Sequence, residues 1–287
     1  MTAPGSTVTA LSAAVGVAAA RLAVAGVASP RHDAEELAAH LLGIRRSALL
    51  TVDSIDAAAY EALVARREQR EPLQHLTGVA GFRYLELQVG PGALVPRPET
   101  ELVAGEAIAF ALAVRAQGRP PVVVDLGTGT GAIALAVASE VPGSVVHAVE
   151  PDAAALAWAA RNVEATGHPV TLHQSTAADA LPELDGRVDV VVSNPPYLPE
   201  GTEVAAEVGH DPQLALWGGP DGLRVIREVI AAAGRLLRPG GALVVEHDQR
   251  HAAEVLSLLV LSTSWTGELA HLDLTGRQRF ATARRTP

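Results

Sequence analysis

The tetrapeptide Asn194-Pro195-Pro196-Tyr197 contains the residue types that point most directly to chemistry, and it follows an apolar run typical of a buried strand, residues 188–193. Two consecutive prolines fix two backbone φ angles and remove two N–H donors, and the first favours an extended Asn194. The turn therefore offers an amide side chain, carbonyl oxygens without competing donors and an aromatic ring. Such a turn can hold a planar, weakly nucleophilic nitrogen, since the oxygens accept its N–H hydrogens while the ring stacks on its face. The same residues also fit an ordinary proline-rich loop.

A glycine-rich segment, residues 125–131, lies between a short apolar run and an alanine-rich helical pattern. Its three glycines allow the backbone to turn sharply and to approach a ligand without a Cβ in the way, and the following helix N-terminus offers free N–H groups and a positive dipole end. The spacing G-x-G-x-G differs from the dinucleotide fingerprint. Glu150 ends the next predicted strand, where an acid can bind ribose hydroxyls. These features predict a site for a nucleoside-bearing cofactor.

The elements that position these residues alternate between strand and helix from residue 120 onward. Strands are predicted near residues 122–125, 145–150, 170–173, 188–193 and 242–246, and helices near residues 132–140, 153–165, 223–237 and 251–261. This alternation is typical of an α/β fold with a parallel sheet wound on both faces, which binds ligands at the carboxyl ends of its strands. Asp125, Glu150 and Asn194 each follow such an end, so we expect them on one rim. A closing hairpin is predicted at residues 269–284.

The chain before residue 97 predicts two further parts. Residues 1–77 have apolar residues at helical spacing and predict a helical N-terminal domain. Residues 78–96 predict a β-hairpin linker, and residues 97–287 the sheet domain. Helix-starting residues at 98–101 begin that last part. Arg97 and Glu99 are candidates for an ion pair that steadies the linker, and the alternative is that they face a substrate.

Composition excludes several classes of chemistry. The 287 residues include no cysteine, and all 22 basic residues are arginine, so disulfides, thiolate metal sites, lysine Schiff bases and a P-loop lysine are excluded. The ten histidines are scattered, and no metal is predicted.

A net charge of −10 argues against a broad nucleic-acid surface. No apolar run predicts a membrane span, and the first 28 residues lack a secretory pattern. We therefore expect a protein with no membrane or stable nucleic-acid partner. A cytoplasmic location and a monomer are the default expectations, and the oligomeric state stays open.

Over nearly its whole length, the chain resembles the protein-(glutamine-N5) methyltransferases that modify peptide chain release factors. The resemblance rests on residues 70–78, 95–101, 125–131, 193–197, 215–223 and 273–280. Asn-Pro-Pro-Tyr alone is shared with DNA adenine-N6 methyltransferases. The Arg-Pro-Glu-Thr-Glu stretch at 97–101 and the Gly-Gly-Pro-Asp-Gly-Leu stretch at 218–223 are far more specific.

The resemblance implies a Rossmann-like class I methyltransferase domain with a seven-stranded sheet, a small helical N-terminal domain for release factor recognition and a β-hairpin between them. It implies S-adenosyl-L-methionine as the cofactor, S-adenosyl-L-homocysteine as the product, and the glutamine of the release factor Gly-Gly-Gln loop as the substrate. The catalytic residues would be Asn194, Pro195 and Tyr197, and these with Pro196 would bind the substrate. The cofactor residues would be Asp125, Gly127, Thr128, Gly129, Thr130, Gly131, Glu150, Ala177, Asp179 and Asn194.

Two departures from the family pattern concern local contacts. Ala177 stands where a larger residue usually packs against the adenine, and Asp179 is the candidate for the polar contact there. After the fifth strand the family tends to Glu-Ile-Gly, whereas this chain has Glu246-His247-Asp248. We treat this difference as one of loop detail.

Other functions stay open on the residues alone. An adenine-N6 nucleic-acid methyltransferase would present the same kind of planar nitrogen, but it must flip the base and hold the phosphate backbone, and no basic target-reading domain is seen. A non-catalytic nucleotide-binding module would not need Asn194 or Tyr197. A dehydrogenase is disfavoured by the glycine spacing.

Overall fold

The computed structural model describes residues 8–287, and these divide into two compact units. The first unit runs to Val79 and also contains Val204–His210, and the second comprises Ala80–Glu203 and Asp211–Pro287. Residues 1–7 of the predicted helical domain lie outside the described part of the chain. The predicted domain limits do not anticipate that seven residues from beyond position 200 belong to the first unit.

The first unit is mainly helical. Its helices are α1 (Leu11–Val24), α2 (Pro30–Leu42), α3 (Ala57–Glu68) and α4 (Leu73–Thr77), and its strands are β1 (Val8–Ala10) and β2 (Ser54–Asp56). Proline in the first turn favours the start of α2, and the Asp56 carboxylate caps α3 by accepting from two backbone N–H groups, each at 3.0 Å. Leu22, Leu37 and Val64 are buried in its core. The pairing of β1 with β2 was not predicted, because three residues are too few to give a strand pattern.

An ionic cluster holds Val204–His210 in the first unit. Arg67 pairs with Asp33 at 2.8 Å, with both side chains less than a tenth exposed. Arg67 and Arg70 also donate to the Glu207 carboxylate. Although burial opposes it, these hydrogen bonds, from Arg70 above all, lower the pKa of Glu207 to about 2. The segment is therefore fixed by charge-assisted hydrogen bonds to α3 and the residues after it.

The second unit begins with the predicted hairpin and continues into an α/β layer structure. Its strands are β3 (Val79–Phe82), β4 (Leu85–Gln88), β5 (Val122–Leu126), β6 (Val145–Glu150), β7 (Thr171–Gln174), β8 (Val188–Ser193), β9 (Leu237–Glu246), β10 (Trp265–Leu272) and β11 (Gln278–Arg285). Its helices are α5 (Thr100–Arg115), α6 (Ala132–Glu140), α7 (Ala153–Thr166), α8 (Gln213–Leu216), α9 (Arg224–Leu236) and α10 (Ala252–Val260). The first residue of β3 falls on the first unit's side of the boundary.

The central sheet has seven strands in the order β10-β11-β9-β8-β5-β6-β7. The five strands from β9 to β7 are parallel, and β11 lies antiparallel between β9 and β10. Successive strand residues face opposite layers, as Val123 and Val124 do: the first packs in the core with α5 and α6, the second in the core with α9 and α10. These observations confirm the predicted α/β seven-stranded sheet.

The sheet places the candidate residues at its topological switch point. β5 pairs with β6 on one side and with β8 on the other, and ligands bind outside the carboxyl ends of strands at such a point. The Ser193 hydroxyl donates to the Leu126 carbonyl at 2.6 Å, so the ends of β5 and β8 are tied together. The glycine segment and the Asn-Pro turn therefore begin side by side.

Candidate active site

A cavity of about 310 Å³ opens at the carboxyl ends of β5, β6 and β8. This volume is at the lower end of the range for small-molecule sites, roughly 300–1,000 Å³. Of the predicted site residues, the cavity is lined by Gly127, Thr128, Gly129, Thr130, Glu150, Ala177, Asn194, Pro195 and Pro196. The fold thus brings the glycine segment, the acid and the Asn-Pro turn to one cavity. Asp125, Gly131, Asp179 and Tyr197 are not among its lining residues.

The glycine segment is a cradle whose backbone needs glycine. Gly127 and Gly129 have φ values of 74° and 57°, in the left-handed region. The N–H groups of Gly127 and Thr128 both donate to the Val149 carbonyl, at 2.8 and 3.0 Å, which anchors the turn to the end of β6. A Cβ on either glycine would meet nothing within 4 Å. The segment therefore leaves open space on its cavity side for a ligand.

Asp125 supports this cradle through hydrogen bonds to Thr128 and Ala134. It is fully buried and accepts from the Thr128 hydroxyl at 2.6 Å and the Ala134 N–H at 3.2 Å, so it joins the turn to the start of α6. Burial raises the pKa of Asp125 to about 7, against the two hydrogen bonds. Gly131, with φ 85°, caps α6. Both residues support the loop, and neither lines the cavity.

Glu150 faces the cavity from the end of β6. Its two oxygens accept from the Gly129 N–H at 2.8 Å and the Asp152 N–H at 3.0 Å. Burial raises the pKa of this carboxyl group, and the two backbone hydrogen bonds oppose that shift. Because a carboxylate has about four lone-pair positions, each oxygen can accept another hydrogen bond. Glu150 therefore presents two oriented acceptor oxygens at the cavity wall.

The loop after β7 forms a smaller wall of the cavity. Thr176 and Ala177 line it. The Asp179 carboxylate accepts from the Thr176 hydroxyl at 2.9 Å, and the Asp179 N–H donates back to that hydroxyl at 3.2 Å. Asp179 is thus occupied in shaping the loop, and the polar atoms nearest the cavity here belong to Thr176.

A glycine-rich turn, residues 218–222, packs against the backbone of the Asn-Pro turn at Pro196. A Cβ on Gly218 would lie 2.4 Å from the Gly222 carbonyl oxygen and 2.7 Å from that of Pro196, so only glycine allows this approach. Leu198 N–H donates to the Leu216 carbonyl at 2.9 Å, and Gly218 N–H donates to the Leu198 carbonyl at 2.8 Å. The Gly-Gly-Pro-Asp-Gly-Leu stretch at 218–223 therefore fixes the position of the backbone that follows Asn194.

Two functional candidates were missed by sequence reasoning, Thr100 and Glu246. The Asn194 amide nitrogen donates to the Thr100 hydroxyl at 3.0 Å, and that hydroxyl donates to the Glu246 carboxylate at 2.7 Å. The Tyr197 hydroxyl donates to the other Glu246 oxygen at 3.3 Å, and burial raises the pKa of that phenol, so it stays a donor. The available signal was positional: Glu246 is an acid at the carboxyl end of the strand next to β8.

The predicted Arg97–Glu99 ion pair is wrong. Arg97 lines the cavity, and its guanidinium pairs with the buried Asp211 carboxylate. The pairing could not be read from spacing, because the two residues are 114 positions apart. Arg97 is thereby fixed at the cavity wall.

Within residues 8–287, no cluster of three or more histidine or acidic side chains is arranged to hold a metal ion. None of the helices described there has both the length and the apolar character needed to span a bilayer.

Comparisons with known proteins agree across the chain. The PrmC N-terminal domain model matches residues 13–78, and the methyltransferase small domain model matches residues 106–211. A release factor glutamine methyltransferase of Streptomyces coelicolor is 56% identical over 280 residues, covering 96% of this chain and 98% of its own. One of Mycolicibacterium smegmatis is 52% identical over 281 residues, with the same coverage of 96% and 98%.

Among solved structures, the hMettl16 catalytic domain in complex with the MAT2A 3′UTR hairpin 6 has a TM-score of 0.51 at 14% identity, covering 70% of this chain and 75% of that one. At this identity the similarity shows the fold alone. With the methyltransferase family model, it confirms the predicted class I methyltransferase fold.

Proposed function

Because the chain belongs to the release factor glutamine methyltransferase family, we propose that it transfers a methyl group from S-adenosyl-L-methionine to the side-chain amide nitrogen (N5) of the glutamine in the Gly-Gly-Gln motif of peptide chain release factors. The observation that supports this most strongly is geometric. Asn194 and Pro195 line the same cavity as the glycine cradle and Glu150. One cavity can therefore hold both the cofactor and a flat carboxamide.

The cavity residues fit S-adenosyl-L-methionine. The open faces of Gly127 and Gly129 and the N-terminus of α6 would take its methionine part, Glu150 would accept from the ribose hydroxyls, and Thr176 and Ala177 would lie at the adenine. When bound, the cofactor supplies a methyl group activated by a positively charged sulfur, and it leaves as S-adenosyl-L-homocysteine. The small Ala177 side chain gives less stacking area than a larger residue would.

Asn194 and Pro195 would activate the substrate nitrogen. In a free amide, the nitrogen lone pair is delocalised into the carbonyl group. Hydrogen bonds from the amide N–H groups to the Asn194 Oδ1 and the Pro195 carbonyl favour the nitrogen that localises its lone pair and gains positive charge. These bonds strengthen toward the transition state, which is the condition for raising kcat.

Pro196, which lines the cavity, would orient the amide. The expected stacking of the Tyr197 ring on the amide plane is not supported, because Tyr197 does not line the cavity; we assign it a supporting role, in which its hydroxyl on Glu246 holds the turn. Alignment of the nitrogen with the methyl group contributes rate through positioning. No strong base is required, because the methylated nitrogen is acidic enough to lose its proton to water or to a carbonyl oxygen.

The helical first unit would recognise the release factor outside its Gly-Gly-Gln loop. Its match to the PrmC N-terminal domain model supports this assignment. We propose that the enzyme works as a monomer in the cytoplasm, where its substrates act, and that it has no stable nucleic-acid partner. The net charge of −10 supports the last point, since nucleic-acid surfaces are usually basic.

The test is a parallel incubation with labelled cofactor. One reaction contains a purified release factor and the other contains unmethylated DNA and RNA. We expect label in the release factor alone, and fragment mass spectrometry should locate one methyl group on the loop glutamine side chain. Label in adenine would instead support the adenine-N6 alternative, and a release factor whose loop glutamine is replaced by asparagine serves as the matched control.

A further inference from the structure

A buried chain of hydrogen bonds runs from Asn194 through Thr100, which also lines the cavity, to Glu246, which does not. Asn194 Nδ2 lies 3.0 Å from Thr100 Oγ1, and Thr100 Oγ1 lies 2.7 Å from Glu246 Oε2. Thr100 is 4% exposed and Glu246 is 0% exposed, so water does not compete for these contacts. Glu246 comes from β9 and Thr100 from the first turn of α5, so the network joins elements from distant parts of the chain.

The direction of each hydrogen bond follows from the charge at its end. An ionised carboxylate only accepts, so the single hydroxyl proton of Thr100 must point to Glu246. Toward Asn194, the hydroxyl oxygen then presents only lone pairs. A carboxamide has one donating and one accepting edge, so Asn194 must turn its NH₂ group to Thr100. Its Oδ1 is left as the atom for the cavity that Asn194 lines.

The opposite orientation would place a donor in front of the substrate. If the Thr100 proton pointed at Asn194, the Asn194 carboxamide would reverse. It would then present its NH₂ group to the N–H groups of the substrate glutamine. Two donors facing each other cannot hydrogen bond, and the activating contact described above would be lost. Glu246, which is two hydrogen bonds away from Asn194 along this chain, therefore determines which Asn194 atom faces the substrate.

We propose that Thr100 and Glu246 are positioning residues that fix the orientation of the Asn194 carboxamide, so that its oxygen and not its nitrogen meets the substrate amide. This inference rests on the proposed function, because it concerns the acceptor that the transfer reaction needs. It assigns to Glu246 a role separate from its second hydrogen bond, which holds Tyr197.

The surroundings of Glu246 make this orientation sensitive to pH. Burial raises its pKa to about 7, with Glu99 acting in the same direction and Thr100, Arg279 and Tyr197 opposing it. Below this pH, the protonated carboxyl group can donate to Thr100 and release the Thr100 proton toward Asn194. Turnover at saturating cofactor should therefore rise as the pH increases through about 7.

Three variants separate this role from a general structural one. Thr100→Val keeps the shape but removes the hydroxyl, Thr100→Ser keeps the hydroxyl, and Glu246→Gln can donate to Thr100 and reverse the chain. We expect kcat for release factor methylation to fall roughly 10²-fold in Thr100→Val and Glu246→Gln, by analogy with the loss of one preorganised transition-state contact. Thr100→Ser should recover most of the turnover. The cofactor Kd should change less than about twofold in Thr100→Val and Glu246→Gln, since valine keeps the shape of this cavity-lining position and Glu246 does not line the cavity.

Two further readouts do not depend on a single rate. The variant carrying both Thr100→Val and Glu246→Gln should be no slower than either alone, because both changes interrupt one chain. In ¹⁵N-labelled protein bound to S-adenosyl-L-homocysteine, the Asn194 side-chain NH₂ should exchange slowly with solvent in the wild type and faster in Thr100→Val. The acid limb of kcat near pH 7 should vanish in Glu246→Gln.

The inference is overturned if Thr100→Val turns over like the wild type, if Thr100→Ser loses as much as Thr100→Val, or if the double variant shows the product of the two single losses. These outcomes require an active wild-type enzyme. A wild type that binds the cofactor but methylates no release factor would overturn the proposed function instead, so the two failures are distinguishable.

Discussion

Replacing Gly218 by alanine should displace the Asn-Pro turn without touching a polar group. The new Cβ would lie 2.4 Å from the Gly222 oxygen and 2.7 Å from the Pro196 oxygen, short of the 3.0 Å minimum by 0.6 and 0.3 Å. Both oxygens belong to backbone, so neither can rotate away as a side chain would. Either the glycine turn or the Pro196 backbone must move by several tenths of an ångström.

The size of the effect follows from this displacement. Overpacking of this kind costs about 1–3 kcal/mol of stability. A misplacement of about 1 Å can cost roughly 10²-fold in rate, so a shift of about half that size should lower kcat roughly tenfold. The cofactor Kd should stay within about twofold, because the glycine cradle follows β5 and Glu150 ends β6, so neither belongs to this turn.

The assay compares Gly218→Ala with Gly81→Ala as the matched control. Gly81 lies in β3 with an ordinary φ, and a Cβ there meets nothing within 4 Å. Both variants would be measured by thermal unfolding, by cofactor calorimetry and by steady-state methylation of a release factor. Equal turnover in the two variants would show that the contact of Gly218 with Pro196 has no effect on the transfer.

Three other outcomes are expected. Glu150→Gln should raise the cofactor Kd about 10- to 100-fold, as expected for charge-assisted hydrogen bonds of about 1.5–3 kcal/mol, and an unchanged Kd in calorimetry would show that another group holds the ribose. The pKa of Glu246 is about 7 in the folded protein and 4.5 in the unfolded chain, so between these pH values the folded state holds one more proton. The free energy of unfolding of the wild type should therefore fall by about 3 kcal/mol as the pH rises from 4.5 to 7. The Tm of Glu246→Gln relative to the wild type should therefore increase from pH 5 to pH 8, and a constant difference would contradict this. Glu207→Gln should leave Arg70 without its ion pair, cost about 1 kcal/mol and speed hydrogen exchange of residues 204–210; unchanged protection there would mean that other contacts hold the segment.

Strands and glycine turns were predictable because their signals are local. The apolar runs at β5 and β8 lie within one or two residues of the predicted limits, since strands buried on both faces are apolar throughout. A parallel sheet then follows from the strand–helix alternation, and with it the convergence of Glu150 and Asn194 on one rim. These inferences need no knowledge of distant contacts.

Contacts between distant residues were not predictable from local patterns. Thr100 and Glu246 are 146 positions apart, and nothing around either one indicates the other. Glu207 and Arg70 are 137 positions apart, so the transfer of residues 204–210 to the helical unit has no local signal. In each case, a polar side chain is satisfied by a partner that only the packed fold supplies.

A crystal structure of the enzyme with S-adenosyl-L-homocysteine and a peptide containing the Gly-Gly-Gln motif would show directly whether the Asn-Pro turn holds the substrate amide. We expect the glutamine amide nitrogen within hydrogen-bond distance of Asn194 Oδ1 and the Pro195 carbonyl, and facing the cofactor sulfur. A bound glutamine whose amide lies outside this turn, or an Asn194 whose side chain points away from the glycine cradle, would contradict this expectation.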